Sequence, residues 1–426
     1  MLYNAVIFDL DGTLTDSQPG IFASTRYALE KMNRPVPPES TLRRFLGPPL
    51  ADSFMRYCGM NEEEATHATQ LYRERYIPIG WKENTVFPHI RALLSALKEQ
   101  GVYLAVATGK PEHTSIEILR YFRLLPYFDA VAGPTPGDLH ADKGDLIKRV
   151  LPEGKKAVMI GDTAGDIKGA QDAGIDSVAV LYGYGENEEV LAARPTHAVE
   201  TPEELARLLC PDMPEKKGYF ITLEGVDGSG KTTQADALQA LLTQFGYQVH
   251  RTREPGGCPI AEEIRKIVLA KEDGSMCAET EALLFAAARA QHVRQVILPA
   301  VREGKIVLCD RFVDSSIVYQ GGARGLSRDW IKEINKVALE EGVPDVTMYL
   351  RMDHSAALSR RLAVSDPDRI EQMGESFLAR TEEAYEMLLQ ENPQRYLPVN
   401  AAQTPEKVTE EAFDLLLSRL IEGGVL

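Results

Sequence analysis

The 426 residues predict an α/β protein of two consecutive domains, each a parallel sheet covered by helices, and three observations carry that prediction. A glycine-rich phosphate loop, Gly225-Val226-Asp227-Gly228-Ser229-Gly230-Lys231-Thr232, stands at mid-chain, although such a loop normally follows the first strand of its domain. The residues ahead of it open with a strand-end motif of another kind, Asp9-Leu10-Asp11-Gly12-Thr13. In both halves short apolar runs rich in β-branched residues alternate with longer helical patterns. Length agrees, because 426 residues are too many for one hydrophobic core.

In the first half the candidate strands are residues 5–8, 103–107, 157–160 and 178–181, with helical patterns over 20–31 and 62–76. Residues 202–209 read as the last helix of this half. Cys210-Pro211-Asp212-Met213-Pro214-Glu215-Lys216-Lys217-Gly218 then combines two prolines, charges and a glycine, which reads as a linker. The predicted domains are therefore 1–213 and 214–426. In the second half residues 220–224, 305–309 and 346–350 are candidate strands, and residues 234–244 form a helical pattern behind the phosphate loop.

Composition bounds the function. At 44% hydrophobic and 26% charged the chain is ordinary for a folded soluble protein, and a net charge of −16 argues against a broad nucleic-acid surface and for small anionic substrates. Cys58, Cys210, Cys258, Cys277 and Cys309 form no CxxC pair, which argues against zinc or a redox centre and fits thiols in a reducing compartment. No basic leader precedes an apolar run, and no stretch nears the roughly 18 apolar residues a span needs. The expected setting is cytoplasmic, with neither membrane nor nucleic acid as partner.

Asp9 and Asp11 follow a strand directly, so their carboxyl groups project from its carboxyl end, where open α/β sheets place ligands. Alone, such a pair is as readily a solvated turn. Thr108 closes the strand 103–107 and offers a hydroxyl for a phosphate oxygen, Lys143 offers a cation, and Gly161-Asp162-Thr163-Ala164-Gly165-Asp166 ends another strand with two acids. In this order the set resembles the haloacid dehalogenase superfamily of phosphatases over residues 1 to about 210. The resemblance implies a Rossmann-like core, with residues 17–81 as the small helical cap of phosphoglycolate-phosphatase-like members. It also implies that Asp9 is the nucleophile, forming an aspartyl-phosphate, and that Asp11 protonates the leaving alcohol and later activates water. Magnesium would be held by Asp9, the backbone carbonyl of Asp11 and Asp162, with Asp166 supporting the metal waters or Lys143. Thr108 and Lys143 would hold the transferring phosphoryl group. Arg43, Arg44 and the turn Gly47-Pro48-Pro49-Leu50 are candidates for touching the substrate, or else form a solvated helix face. Phosphoglycolate, a nucleoside monophosphate and other small phosphate esters all remain open.

In the second half the phosphate loop has a strand before it and a helix after it. Its backbone N–H groups suit phosphates, Lys231 reaches between them, and Thr232 suits magnesium. Arg253-Glu254-Pro255-Gly256-Gly257 follows a second strand, and Phe285 and Arg289 share one helix face, fit to stack on a base and to take a phosphate. Asp310-Arg311-Phe312 ends a further strand, with Ser315, Ser316, Tyr319, Gln320 and Gly321 beyond it. Singly, each would more often be a structural ion pair or core aromatic. Their order resembles thymidylate kinase over 219 to about 420, with EGVDGSGKTTQ, TREPGG, LLFAAARAQHV, DRFVDSSIVYQG and DRIEQ all present.

That resemblance implies a P-loop nucleoside monophosphate kinase fold, magnesium dependence, transfer of the γ-phosphoryl group of ATP to dTMP, and a homodimer through this half. Gly225 to Thr232 and Thr233 would bind ATP, with Lys231 catalytic. Asp227 would contact the sugar hydroxyl, Phe285 would stack on thymine, Arg253 and Arg289 would hold the acceptor phosphate, and Gln320 would read the base. Glu254 and Asp310 would organise the magnesium waters, and Arg311 would line the same crevice. Three positions depart from the pattern: Ala288 stands for an Asp, Cys258 for a Thr, and Val364 for a lid arginine, so that Arg360 or Arg361 is left to stabilise transition-state charge. Two alternatives stay open, a catalytic half joined to a binding or regulatory one, and a kinase preferring another pyrimidine monophosphate.

Overall fold

A strand covered by helices on both faces must be apolar throughout, and the central strands are: Ala5–Phe8 reads AVIF and Ala157–Gly161 reads AVMIG, buried at every position. The structure is a computed structural model, and it describes residues 2–135, 142–212, 218–270, 276–362 and 375–423. It divides into two compact units, the first built on residues 1–214 and the second on almost all of residues 215–426. The break expected between 213 and 214 falls in residues 213–217, outside the described residues. Both units are α/β with a parallel sheet, the class the sequence predicts.

The strands of the first unit are β1 (Ala5–Phe8), β2 (Thr15–Asp16), β3 (Thr85–Val86), β4 (Tyr103–Ala107), β5 (Ala130–Ala132), β6 (Ala157–Gly161), β7 (Asp176–Val180) and β8 (His197–Val199). Six form one parallel sheet in the order β5-β4-β1-β6-β7-β8. Phe8 lies opposite both Val106 and Ile160, so β1, β4 and β6 end at one level and the residues that follow them emerge together. The strand expected at 178–181 begins two residues earlier, at Asp176, and β5 and β8 are three-residue edge strands too short to show a pattern. β2 pairs antiparallel with β3 and closes the neck of a helical insertion. That insertion has its own core, in which Phe22, Leu29, Phe45, Phe54, Tyr72 and Tyr76 are buried together. Its helix Glu62–Tyr76 starts where the sequence predicts, because Asn61 and Glu64 form a capping box and three glutamates occupy the first turn.

The second unit holds β9 (Tyr219–Glu224), β10 (Val249–Arg253), β11 (Ile306–Asp310), β12 (Val346–Arg351) and β13 (Tyr396–Asn400), parallel throughout in the order β10-β11-β9-β12-β13. Asp310 lies opposite both Arg253 and Leu223, so the ends of β9, β10 and β11 also meet. β13 escapes the sequence pattern because Pro398 interrupts it, and proline is tolerated here since β13 is an edge. The helix expected at 234–244 begins three residues earlier, at Lys231, directly on the phosphate loop.

Candidate functional site

In the first unit Asp9 continues β1, its backbone N–H bonded to the Ile160 carbonyl at 2.8 Å. Lys143 opens the helix Lys143–Val150, whose N-cap is Asp142, and its Nζ lies 2.7 Å from Asp9 Oδ1 and 2.7 Å from Asp166 Oδ1. Asp162 follows β6, accepts from the Tyr184 N–H at 2.7 Å, and faces the Thr13 hydroxyl at 3.3 Å. Gly12, at φ +80°, has no alternative: a Cβ there would stand 2.3 Å from Asp162 Oδ2. Thr108 follows β4, is buried, and its hydroxyl accepts from the Lys110 N–H at 3.2 Å. Asp9, Thr108 and Asp162 follow β1, β4 and β6, and Lys143 and Asp166, from the first turns of two helices, join them at the carboxyl end of the sheet.

The electrostatics of this cluster show a shortage of positive charge. Burial pushes Asp9 up to about 6 against the pull of Lys143, with Asp166 and Asp11 adding to the rise. Burial, with Asp166 and Asp9 adding to it, raises Asp162 well above the usual carboxylate range. Burial opposes the charge on Lys143, yet Asp166 and Asp9 carry it above the ordinary lysine range. One ammonium faces three carboxylates, Asp9, Asp162 and Asp166, whose oxygens lie within 4.8 Å of one another. A buried set of hard oxygens with excess negative charge suits a hard divalent cation such as magnesium.

Asp11 carries a partner that sequence reasoning gave no role. Lys110 Nζ lies 2.8 Å from Asp11 Oδ1 and 2.9 Å from the hydroxyl of Tyr76, the last residue of an insertion helix. The signal was available, since Lys110 stands two residues beyond Thr108. Arg43 and Arg44 are exposed instead, in the short turn Arg43–Phe45, with Arg44 against the Tyr57 ring.

In the second unit a cavity of about 1330 Å³ opens over the strand ends. Its walls include Asp227, Gly228, Ser229, Gly230, Lys231, Thr232 and Thr233 from the phosphate loop, Arg253 and Glu254 after β10, and Asp310 and Arg311 at β11. Phe285, Arg289, Gln320, Arg360 and Arg361 complete the set. Gly225 and Val226 do not line it; their carbonyls hold Lys231 Nζ at 3.0 and 2.9 Å. Gly228, at φ +87°, admits no side chain, because a Cβ would meet the Ala357 carbonyl at 2.0 Å.

Burial and the Arg311 charge lower Lys231 to about 8. Burial would raise Asp227, but Arg311 and Lys231 hold it at about 2. Arg311 is ion-paired with Asp227, and Tyr319 donates to the same carboxylate at 2.9 Å. Thr232 Oγ1 donates to Asp310 Oδ2 at 2.8 Å, placing a hydroxyl and a carboxylate side by side as magnesium would need them. Arg253 stands at the rim, 55% exposed and paired with Glu262, whereas Arg289 is only 2% exposed. Gln320 is buried and donates to Glu281 at 3.0 Å. Arg360 is tied to the Ala401 and Ala402 carbonyls at 2.9 and 3.3 Å. Cys258 and Ala288, two of the three departures, lie with Ala261 in one buried apolar cluster. Val364 and residues 368–372 lie outside the described residues. Sequence reasoning passed over Thr252, a buried wall residue of this cavity, and Glu224 and His292, buried behind its wall residues.

Each unit thus carries a cluster of polar side chains at the strand ends, one around paired acids and one around a glycine-rich loop. Residues 223–412 match the family model of thymidylate kinase, and residues 6–180 match that of haloacid dehalogenase-like hydrolases. A thymidylate kinase of Halalkalibacterium halodurans is 44% identical over 206 residues, which are 48% of this chain and 98% of that protein. One from Pseudomonas putida is 45% identical over 205 residues, 48% of this chain and 97% of its own. Among solved structures, a predicted phosphatase from Clostridium acetobutylicum is 41% identical, spanning 50% of this chain and all (100%) of its own with a TM-score of 0.45. A putative phosphatase from Clostridium difficile is 37% identical, covering 49% of this chain and 99% of its own with a TM-score of 0.46. The chain belongs to the thymidylate kinase family through its second unit, and its first unit is a haloacid dehalogenase-like hydrolase domain. Among the described residues no helix is long and apolar enough to cross a membrane.

Proposed function

We propose that the second unit transfers the γ-phosphoryl group of ATP to dTMP and that the first hydrolyses a small phosphate monoester through an aspartyl-phosphate. The observation that carries the kinase assignment is the single cavity that gathers the phosphate loop, the Thr232–Asp310 pair and the acceptor-side set Arg253, Phe285, Arg289 and Gln320. Lys231 and Arg311 supply charge where the phosphates would lie, Arg289 and Arg253 flank the acceptor phosphate, and Phe285 offers a face to the base. Thr232 would hold magnesium and Asp310 would order its waters, and the ion would supply positive charge to offset that of the phosphates.

In the first unit Asp9 is the group placed to attack phosphorus, with Lys143 at 2.7 Å to hold the equatorial oxygens and Asp11 at the next turn to pass a proton to the leaving oxygen. Asp9, Asp162 and the Asp11 carbonyl would hold magnesium, which would supply charge neutralisation for the phosphoryl group. Cytoplasmic action and a homodimer through the second unit belong to the same proposal. The dimer is supported by exposed Ile260, Ile267 and Leu283 on the mutually packed helices Pro259–Leu269 and Ala278–His292.

Phosphorus NMR of the full-length chain with ATP, dTMP and magnesium tests the kinase half: dTDP and ADP are expected in equal amounts. No dTDP would overturn the assignment, and a preference for dUMP in direct competition would change the acceptor.

A further inference from the structure

His292 ends the helix Ala278–His292 one turn beyond Arg289 and is completely buried, yet no step above uses it. Its Nδ1 lies 3.0 Å from Glu254 Oε1, and its Nε2 lies 2.7 Å from Thr252 Oγ1. A carboxylate only accepts, so Nδ1 carries the hydrogen and donates to Glu254. The other oxygen of Glu254 accepts from Arg289 Nε at 2.7 Å. Arg289 also donates through Nη1 to Asn335 Oδ1 and through Nη2 to the Phe312 carbonyl at 3.2 Å. A guanidinium has five N–H groups in a fixed plane, so these three bonds leave one N–H on each terminal nitrogen, a pair suited to a phosphate.

The backbone makes room for the ring. Gly257 stands at φ +81°, and a Cβ there would lie 2.4 Å from His292 Nε2 and 2.6 Å from Thr252 Oγ1. Beyond His292 the helix widens into the π-helical turn Val293–Ile297, a local departure from regular geometry at the point where the imidazole is presented. We propose that His292 is a positioning residue for the acceptor phosphate: by filling Oε1 of Glu254 it leaves Oε2 to fix Arg289, and so aims the two remaining N–H groups at the cavity. This rests on the assignment of Arg289 to the acceptor phosphate.

The test uses calorimetric titration of the full-length chain with dTMP, with thymidine, which lacks the phosphate, and with ATP. His292→Leu is expected to weaken dTMP roughly tenfold, the scale of a lost buried hydrogen bond to a charged group, while leaving thymidine and ATP within twofold. His292→Asn keeps a donor near the Nδ1 position and is expected to retain most of the dTMP affinity; His292→Gln moves the donor to the Nε2 end and is expected to behave like Leu. The Asn and Gln pair carries the test should Leu fail to fold. Equal weakening of dTMP and thymidine, or an Asn variant no better than Gln, overturns the proposal while leaving the acceptor assignment intact. A wild-type chain that binds dTMP no more tightly than thymidine overturns both.

Discussion

Lys110 Nζ sits 2.8 Å from one oxygen of Asp11 and 2.7 Å from the other, so a permanent cation grips both sides of the candidate proton-transfer group. The Tyr76 hydroxyl takes the next ammonium hydrogen at 2.9 Å, tying this pair to the helical insertion. Asp11 is thereby oriented, and orientation matters most where a proton must reach a poor leaving group. Lys110→Met is expected to lower kcat for an alkyl phosphate about tenfold or more, and to affect p-nitrophenyl phosphate much less, because that leaving group departs without a proton. Equal losses on the two substrates would show that Lys110 acts on the phosphoryl group instead.

Asp9 is the group through which all first-unit turnover would pass, and it has no counterpart in the second unit. Asp9→Asn keeps the shape and removes the nucleophile, so phosphate release from a monoester is expected to fall by about a thousandfold or more. ADP formation from ATP and dTMP, followed in a coupled assay, is expected to stay within twofold of wild type. Residual phosphatase turnover near the wild-type rate would rule out the aspartyl-phosphate route.

Glu224, the last residue of β9, supplies a pH dependence of stability. Its Oε1 accepts from the N–H groups of Phe312 and Ser315 at 2.7 and 3.3 Å, and its Oε2 faces the hydroxyls of Ser315 and Tyr385 at 2.7 and 2.8 Å. Burial pushes Glu224 up to about 7 from an ordinary value of 4.5, and Asp314 adds to the rise against Arg311, Ser315 and Tyr385. The two hydroxyls can turn to receive a proton from Oε2, so protonation needs no rearrangement of the backbone. Between 4.5 and about 7 the folded chain holds a proton that the unfolded chain has released, so this contribution to stability is lost as pH rises through that window. Against Glu224→Gln, which keeps the shape without the charge, wild type is expected to lose roughly 1–3 kcal/mol between pH 5 and pH 8 in urea unfolding. A difference constant across that range would mean that the four donors hold Glu224 ionised throughout.

These residues also mark the division between what the sequence displays and what it conceals. Asp9, Asp162 and Asp310 each stand directly after a run of apolar residues, so chain order alone places them at the carboxyl ends of strands. The phosphate loop is visible for the same reason, its glycines being required by backbone geometry at fixed spacing. Tyr76, His292 and Glu224 act through contacts that join separate elements, and nothing local distinguishes them from a core tyrosine, a core histidine or a satisfied buried acid. β13 with its Pro398 and the three-residue strands β5 and β8 are held by neighbours in the sheet, not by their own pattern. Cys258 and Ala288 read as two separate departures until packing shows them in one cluster.

The two lid-side arginines separate by their surroundings. Arg360 spends its guanidinium on the Ala401 and Ala402 carbonyls, which fixes it to the wall formed by the loop after β13. Arg361 lines the same cavity, and its Cβ lies 3.2 Å from the place a Cβ on Gly228 would occupy, so its stem rests on the phosphate loop. That stem sets the Arg361 guanidinium beside the loop that would carry the transferring phosphoryl group's charge. Arginines in that role contribute about 10³–10⁵ in kcat elsewhere in phosphoryl transfer. Arg361→Ala is therefore expected to lower kcat of the kinase by about a hundredfold or more with little change in the affinity for dTMP. Arg360→Ala is expected to act mainly on the KM for ATP, through a loosened cavity wall. Single-turnover rates at saturating ATP decide between them, because they report the chemical step free of binding: a large loss in Arg360→Ala and none in Arg361→Ala would exchange the two roles.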